Sequence, residues 1–263
     1  MKKYIFIFKS ELMSNLQYTF NIFVGFIGYL IMLFILFNLY RYLYSDSSEI
    51  INGYTMNQMV WYVIFTEILW SVSGGRKFCH KISEDVRGGN IAYNINKPYS
   101  YIGYSLASHL GEMFIKAIVY TVLAMIMGYV FLGMFPSLNV LEILALVLVS
   151  FMAIVISSLL VIAIGLLSFR IEDSSPIYWL YSKLILIFGT IFPIEYFPKA
   201  IQPVLNYSPV YVTTYGPARL FVNFSLDAFL NILLFQGIYL VLAYLLCALM
   251  YKKGVKNLNV NGG

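Results

Sequence analysis

The sequence predicts an all-α membrane protein, because its apolar residues form long runs and its few charges gather between those runs. Apolar residues make up 60% of the chain and charged residues only 11%, with a mean hydropathy of +0.79. Soluble domains carry about 25% charged residues, so this chain cannot cover a soluble globule with polar surface. The runs lack the alternation typical of barrel strands, and backbone groups in lipid must bond within their own segment, which favours helices.

Six runs reach or approach the roughly 20 apolar residues that a membrane-crossing helix needs. They are predicted as spans at residues 20–44, 57–73, 104–132, 140–169, 177–192 and 228–251. The second run is the shortest. Since no polar block is large enough to fold separately, residues 1–263 are predicted to form a single transmembrane domain.

The basic residues predict the orientation of the chain. Twelve of the 17 Lys and Arg residues lie before the first span, after the sixth, or in the connections after the second and fourth spans. The opposite loops contain only Lys199 and Arg219, with Arg41 near the end of the first span. By the positive-inside rule, both termini are expected in the cytoplasm. This distribution indicates contact with anionic lipid and gives no reason to expect nucleic acid.

The segment before the first span, residues 1–19, has apolar residues at three- and four-residue steps: Ile5, Phe8, Leu12 and Leu16. This spacing is typical of an amphipathic helix that lies in the cytoplasmic interface with its lysines toward lipid headgroups. An ordinary charged leader without a defined pose is the alternative.

The connection at residues 74–100 is the most charged part of the chain. Phe78, Ile82 and Val86 recur every four residues with charged residues around them, which predicts a short amphipathic helix ending at Gly88-Gly89. Such a helix suits docking of a cytoplasmic partner. The alternative is a basic loop that only fixes the topology.

The stretch at residues 192–227 contains five of the eight prolines: Pro193, Pro198, Pro203, Pro209 and Pro217. Proline blocks a regular helix, yet the segment is too apolar for a free loop. Short broken helices that enter the outer leaflet reconcile these facts. A folded outer cap without a role in transport is the alternative.

The sequence contains no motif that hydrolyses ATP or binds a metal. There is no G-x-x-x-x-G-K-[ST] loop, and Cys79, Cys247, His80 and His109 lack partners at metal-ligand spacing. Glu67 falls near the middle of the second span and is the best candidate for a buried acid that binds a substrate or a proton. It could equally bond a neighbouring helix or lie nearer the interface.

The order of these features resembles the permease subunits of type-2 ATP-binding-cassette exporters, particularly small bacterial permeases encoded apart from their ATPase. The tract "ISEDVRGGNIAYNINKP" is similar to their cytoplasmic coupling segment, and "FPIEYFPKAIQPVLNYSPVYVTTYGPARL" is similar to their outer re-entrant hairpin. The resemblance extends over nearly the whole chain.

The resemblance implies that this chain is not itself an enzyme but serves two ATPase subunits, which bind ATP and Mg, together with a second copy or a related permease. The implied location is the bacterial cytoplasmic membrane, and the implied clients are hydrophobic or amphipathic molecules such as drugs, antimicrobial peptides or lipids. The implied ATPase-coupling residues are Arg76, Lys77, Lys81, Ile82, Glu84, Asp85, Arg87, Gly88 and Gly89.

Two other function classes remain open from the sequence. A secondary transporter driven by an ion gradient would need intramembrane ionisable groups, of which Glu67 is the good candidate. A membrane-embedded enzyme or a chaperone-like scaffold is the other, although the sequence contains no paired acid, base or metal set for it.

Overall fold

The computed structural model of the chain describes residues 2–17, 19–44, 49–95 and 97–256. Met1 and Tyr18 of the predicted leader and Asn96 of the predicted coupling segment lie outside the described residues. The all-α class is confirmed, and within the described residues a two-stranded antiparallel ribbon pairs Ile50–Ile51 with Tyr54–Thr55. The α-helices, in chain order, are α1 Lys2–Leu16, α2 Thr19–Leu43, α3 Met56–Ser73, α4 Gly75–Arg87, α5 Asn90–Ile95, α6 Tyr101–Leu132, α7 Val140–Leu166, α8 Ser175–Ile185, α9 Gln202–Asn206, α10 Gly216–Val222 and α11 Leu226–Lys256.

Four helices of the described chain are long and apolar enough to cross a membrane: Ile22–Leu43, Tyr101–Leu132, Val140–Phe169 and Leu226–Lys256. They correspond to the predicted first, third, fourth and sixth spans. The predicted second span is α3, and the predicted fifth is a shorter apolar helix, Ser175–Ile191. Six spans in total therefore stay a prediction.

The bundle has two chemically different ends. At one end lie α1, α4, the start of α6, the end of α7 and the end of α11, where the Tyr101 and Tyr251 rings stack at 5.7 Å. We call this the α4 end. At the other end, the ribbon and the end of α2 meet the proline-rich segment, which we call the hairpin and define as residues 193–222.

Local sequence signals set the ends of the second and fourth predicted spans. The Thr55 hydroxyl accepts from the Gln58 amide while the Gln58 side chain accepts from the Thr55 amide, a capping box that starts α3. Asn139 and Glu142 form the same reciprocal pair at the start of α7. Because these side chains bond backbone donors that the helix leaves free, they fix where each helix begins.

Helix α1 packs along the first turns of α6 and runs in the same direction. A Cβ at Gly103 would lie 2.8 Å from the Tyr4 ring, and one at Gly111 would lie 2.5 Å from the Phe8 carbonyl oxygen, so both glycines permit close approach. The Ser108 hydroxyl donates to Glu11 at 2.8 Å. Of the apolar stripe predicted on α1, Phe8 and Leu12 face the glycines of α6, and Ile5 and Leu16 are exposed. A pose of α1 in the membrane interface stays a prediction.

Candidate functional site

The charged helix α4 begins with a sharp change of chain direction. Gly74 has a φ of +51°, a left-handed conformation that glycine adopts without strain, and it separates α3 from α4. A Cβ at Gly75 would lie 2.6 Å from the Tyr178 hydroxyl, so the first residue of α4 has no room for a side chain. At the other end, the Gly88 amide donates to the Glu84 carbonyl at 2.8 Å, and Gly89 has a φ of +72°. The two glycine pairs therefore define the length of α4.

One face of α4 is seated in the bundle. Phe78, Ile82 and Val86 are all buried, against the end of α7 and the start of α8. The seat is close: a Cβ at Gly165 of α7 would lie 2.7 Å from Ile82 Cγ2 and 3.3 Å from the Cys79 carbonyl oxygen. The Phe78 ring also stacks on His109 of α6, with ring centroids 3.7 Å apart. Each large apolar side chain buried here is worth about 1.5–3 kcal/mol relative to exposure, so α4 is fixed to α7.

Polar contacts add to this seat. The Ser83 and Ser168 hydroxyls lie 2.7 Å apart, both buried, and join α4 to the turn after α7. Tyr101 donates from its hydroxyl to Asp85 at 2.9 Å, which ties α4 to α6. Burial raises the pKa of the Cys79 thiol above its usual value, so this cysteine holds little thiolate near neutral pH.

The opposite face of α4 is exposed and mostly cationic. Its exposed side chains are Arg76, Lys77, His80, Lys81, Glu84 and Arg87. Within the described residues, Arg76, Lys77 and Lys81 form no ion pair, whereas His80 lies 3.2 Å from Glu84. Arg87 instead donates to the Glu172 carbonyl at 3.0 Å. Of the residues predicted for coupling, Ile82 is buried, Asp85 is half-buried and the charged remainder share this face.

Glu67 lies apart from α4, on α3. Its side chain is 2% exposed, and its Oε1 atom has no hydrogen-bond partner among the described residues. One turn earlier, Ile64 accepts a hydrogen bond from the Tyr29 hydroxyl at 3.3 Å, so α2 approaches α3 here. Nothing found among the described residues supports the ion-gradient alternative.

The hairpin is a chain of short turns and helices. Pro203 and Pro217 occupy the first turns of α9 and α10, where a helix does not need the missing N–H. Pro193 precedes a single 3₁₀ turn, Ile194–Tyr196, and Pro209 precedes a π turn, Tyr211–Tyr215. Pro198 is exposed in the bend between the 3₁₀ turn and α9. The prolines thus break the segment into pieces.

Two π turns pack against each other at the base of the hairpin. One is Leu186–Ile191, at the end of α8, and the other is Tyr211–Tyr215. They approach at Gly189, where a Cβ would lie 2.6 Å from Val210 Cγ1 and 2.7 Å from the Thr214 hydroxyl. π turns are rare and interrupt the regular hydrogen-bond ladder, so they leave backbone carbonyls to be bonded by other groups.

Side chains from three other helices supply those bonds. In each pair the side chain of the first residue donates to the backbone carbonyl of the second: Tyr40 to Ile191 at 2.5 Å, Tyr62 to Gly189 at 2.6 Å, Thr66 to Thr190 at 3.0 Å and Gln236 to Val212 at 2.9 Å. Buried backbone acceptors without a partner are costly in an apolar surrounding. These donors therefore make the irregular base of the hairpin stable inside the bundle.

A cluster of polar side chains joins the hairpin to the ribbon. Glu195 accepts from the Tyr215 hydroxyl at 2.6 Å and from the Tyr54 hydroxyl at 3.2 Å, and its carboxylate lies 3.5 Å from Arg219 Nε. Sequence reasoning missed this cluster. The available signal was that Glu195 is the one acidic residue among the prolines and aromatics of residues 192–224.

A cleft between α3, α7, α8 and the second π turn is lined by both polar and apolar side chains, among them Trp70, Ser157, Tyr181 and Thr214. The space inside is about 20 Å³, which is enough for one water molecule. In this conformation a single chain therefore offers no chamber here for a larger molecule. No group of three or more His, Cys, Asp or Glu side chains in the described chain is arranged to hold a metal ion.

Comparison with known proteins agrees with this architecture. No curated protein matches the chain. A family model described as "ABC-2 family transporter protein" matches residues 15–262, nearly the full length. Permeases of this family are multi-pass membrane subunits that lack an ATP-binding domain of their own, and membership implies partnership with ATP-binding-cassette ATPase subunits. The chain therefore belongs to the ABC-2 transporter family, as a permease subunit.

Proposed function

We propose that this permease moves a hydrophobic or amphipathic molecule out of the cell, using ATP hydrolysed on separate ATPase subunits. Helix α4 is the observation that carries the proposal. Its apolar face is fixed to α7 and α8, while its other face presents three cations, Arg76, Lys77 and Lys81, without ion pairs among the described residues. A surface of this kind suits a soluble partner with complementary acidic groups.

Because one face of α4 is buried in the bundle and the other is exposed, α4 is suited to transmit a displacement from a partner to the bundle. Since α4 contacts α7, α8 and α6 through buried side chains, a push on its exposed face would displace these helices rather than α4 alone. ATPase subunits that close on ATP would contact this face differently in their open and closed forms. That difference is the free energy by which ATP would favour one conformation of the bundle.

Charge places α4 in the cytoplasm in this proposal. The α4 end also contains Lys2, Lys3, Lys9 and the lysines at the end of α11, and the positive-inside rule assigns such an end to the cytoplasm. Both termini would then be cytoplasmic, in the plasma or inner membrane of a bacterium, and the exposed lysines of α1 would face anionic lipid.

The transported molecule is proposed to pass between two permease copies, identical or related. The cleft within one chain holds about one water, so a larger client needs either a second chain or a different conformation. A hydrophobic or amphipathic client is proposed because the exposed side chains of the long helices, which such a client would contact, are mostly apolar. ATP and Mg would bind on the ATPase subunits.

The test is charge reversal on α4 in the assembled complex. Lys77→Glu with Lys81→Glu is preferable to a change at Arg87, because Arg87 also bonds the Glu172 carbonyl inside the chain. We expect loss of about tenfold or more in ATPase association or in substrate-stimulated ATP turnover, since reversed charges at a close interface cost several kcal/mol. The permease itself should keep its thermal stability, because both side chains are exposed.

Lys199→Glu is the matched control, since Lys199 is an exposed lysine at the hairpin end. It should leave association and turnover unchanged. Unaltered association and turnover in the double variant, with normal membrane levels, would refute the assignment of α4.

A further inference from the structure

We propose that Glu195 is the latch that holds the hairpin closed over the hairpin end of the bundle. The inference rests on the proposed transport role, because a hairpin that opens and closes matters only if the transported molecule leaves at the hairpin end. The latch consists of the Glu195 carboxylate, which accepts hydrogen bonds from two different parts of the chain and lies beside the Arg219 guanidinium.

The geometry makes Glu195 a junction of three segments. Glu195 lies at the start of the hairpin, and its Oε1 accepts from Tyr215 of the returning limb at 2.6 Å. Its Oε2 accepts from Tyr54, in the ribbon before α3, at 3.2 Å. Arg219 of α10 lies 3.5 Å from Oε1 and places its guanidinium over the Tyr215 ring. One side chain thus joins both limbs of the hairpin to the chain outside it.

A second junction lies beside it. The Tyr44 hydroxyl, at the end of α2, donates to the Tyr54 carbonyl at 3.0 Å. That hydroxyl has a single proton, so at its 2.8 Å contact with Tyr196 it accepts from the Tyr196 hydroxyl. The hairpin residue next to Glu195 is therefore also bonded to α2, and both junctions meet at Tyr54.

These contacts differ from those at the base of the hairpin in a way that suits a latch. At the base, side chains bond buried backbone carbonyls, which would be left without partners if the contacts broke. At the latch the donors Tyr54 and Tyr215 are buried, but the acceptor and its cation are partly exposed: the Glu195 side chain is 28% exposed and the Arg219 side chain is 48% exposed. Water can reach the carboxylate and the guanidinium when these bonds break, so the tip of the hairpin can open without leaving a buried acceptor unpaired, while the base stays in place.

Hydrogen exchange on the intact complex with its ATPase, in lipid nanodiscs, tests the latch. Two variants weaken or remove it without removing bulk: Glu195→Gln removes the charge and one of the two acceptor oxygens, and Tyr54→Phe combined with Tyr215→Phe removes both donors. Hydrogen bonds to a charged acceptor are strong enough for their loss to shift an opening equilibrium by about tenfold or more. We therefore expect the amides of residues 194–208 to exchange about tenfold faster in both variants, with unchanged exchange in α4.

Tyr207→Phe is the matched control, because Tyr207 is an exposed hairpin tyrosine outside the cluster. In this variant the amides of residues 194–208 should exchange at the same rate as in the unsubstituted protein. Unchanged exchange in the double tyrosine variant, or an equal rise in Tyr207→Phe, would overturn the latch. If Glu195→Gln fails to reach the membrane, the double variant decides alone.

This readout separates the latch from the proposed function. Exchange at the hairpin does not depend on ATP turnover, so a latch confirmed here stands even if charge reversal on α4 leaves turnover intact. Conversely, a failed latch leaves coupling through α4 untouched.

Discussion

The α4 end and the hairpin end of the bundle are stabilised by different balances of close packing and hydrogen bonding. At the α4 end, apolar side chains pack on small residues, as where Ile82 meets Gly165, and hydrogen bonds such as that between Ser83 and Ser168 add to this packing. At the hairpin end, Gly189 also packs closely on Val210, but hydrogen bonds run from tyrosine, threonine and glutamine to carbonyls and to one carboxylate. The first kind of contact resists sliding and is all-or-none, because packed interiors are not continuously deformable. Of the second kind, only the contacts of the partly exposed Glu195 carboxylate can be exchanged for water, because the carbonyls at the base of the hairpin are buried.

The difference suggests a division of labour along the molecule. An end that must transmit a push needs a rigid joint, which close packing supplies between α4 and α7. An end that must open needs contacts whose loss costs little when water is present. Breaking each kind of contact should therefore give a different phenotype.

The largest effect is expected from filling the space at Gly165. In Gly165→Val the new side chain meets Ile82 and the Cys79 carbonyl, so α4 must move away from α7. Overpacking of this kind costs about 1–3 kcal/mol, and here it also displaces the face proposed to bind the ATPase. We expect a lower melting temperature of the purified permease and loss of ATPase association together.

Gly237→Val is the control for Gly165→Val. Gly237 lies in the interior of α11, and a Cβ there would meet nothing within 4 Å. It should keep ATPase association. Equal behaviour of the two variants would show that the seat of α4 is no closer than an ordinary helix surface.

An effect confined to stability, with ATPase association retained, is expected at the base of the hairpin. Gln236 donates to the Val149 and Val212 carbonyls, both at 2.9 Å, and is fully buried. Gln236→Met keeps the volume but removes both bonds, which should cost about 1–3 kcal/mol, since the acceptors stay buried. We expect a lower melting temperature with ATPase association retained.

Asn206→Met, on an exposed side chain of α9, is the comparison for Gln236→Met and should leave the melting temperature unchanged. A loss of ATPase association in Gln236→Met would contradict the proposal that the hairpin end and the α4 end have separate roles. An unchanged melting temperature would show that the base of the hairpin does not depend on these bonds.

Sequence reasoning reached the α4 end more fully than the hairpin end, for a physical reason. Helix α4 and its buried stripe follow from a four-residue spacing between glycine pairs, which is local information. On α1 the spacing alone does not tell which apolar residues contact α6, because that depends on Gly103 and Gly111 of a distant helix.

The hairpin end depends on pairings far apart in sequence. Prolines located the broken segment, but π turns have no comparable local signature, and the carbonyls that they free are bonded by Tyr62 and Thr66, more than 120 residues away. Tyr54 and Glu195 are likewise 141 residues apart. Pairings of this kind become visible only when the helices are packed.

The contact between α4 and the ATPase is the central claim, and site-directed photo-cross-linking tests it most directly. Cys79 and Cys247 are buried, so a benzophenone-maleimide would label an introduced cysteine in preference to them. In the assembled complex, Lys81→Cys should yield a product with the combined mass of permease and ATPase, and Lys199→Cys should not. A product from Lys199→Cys but none from Lys81→Cys, with the ATPase still bound, would contradict the account.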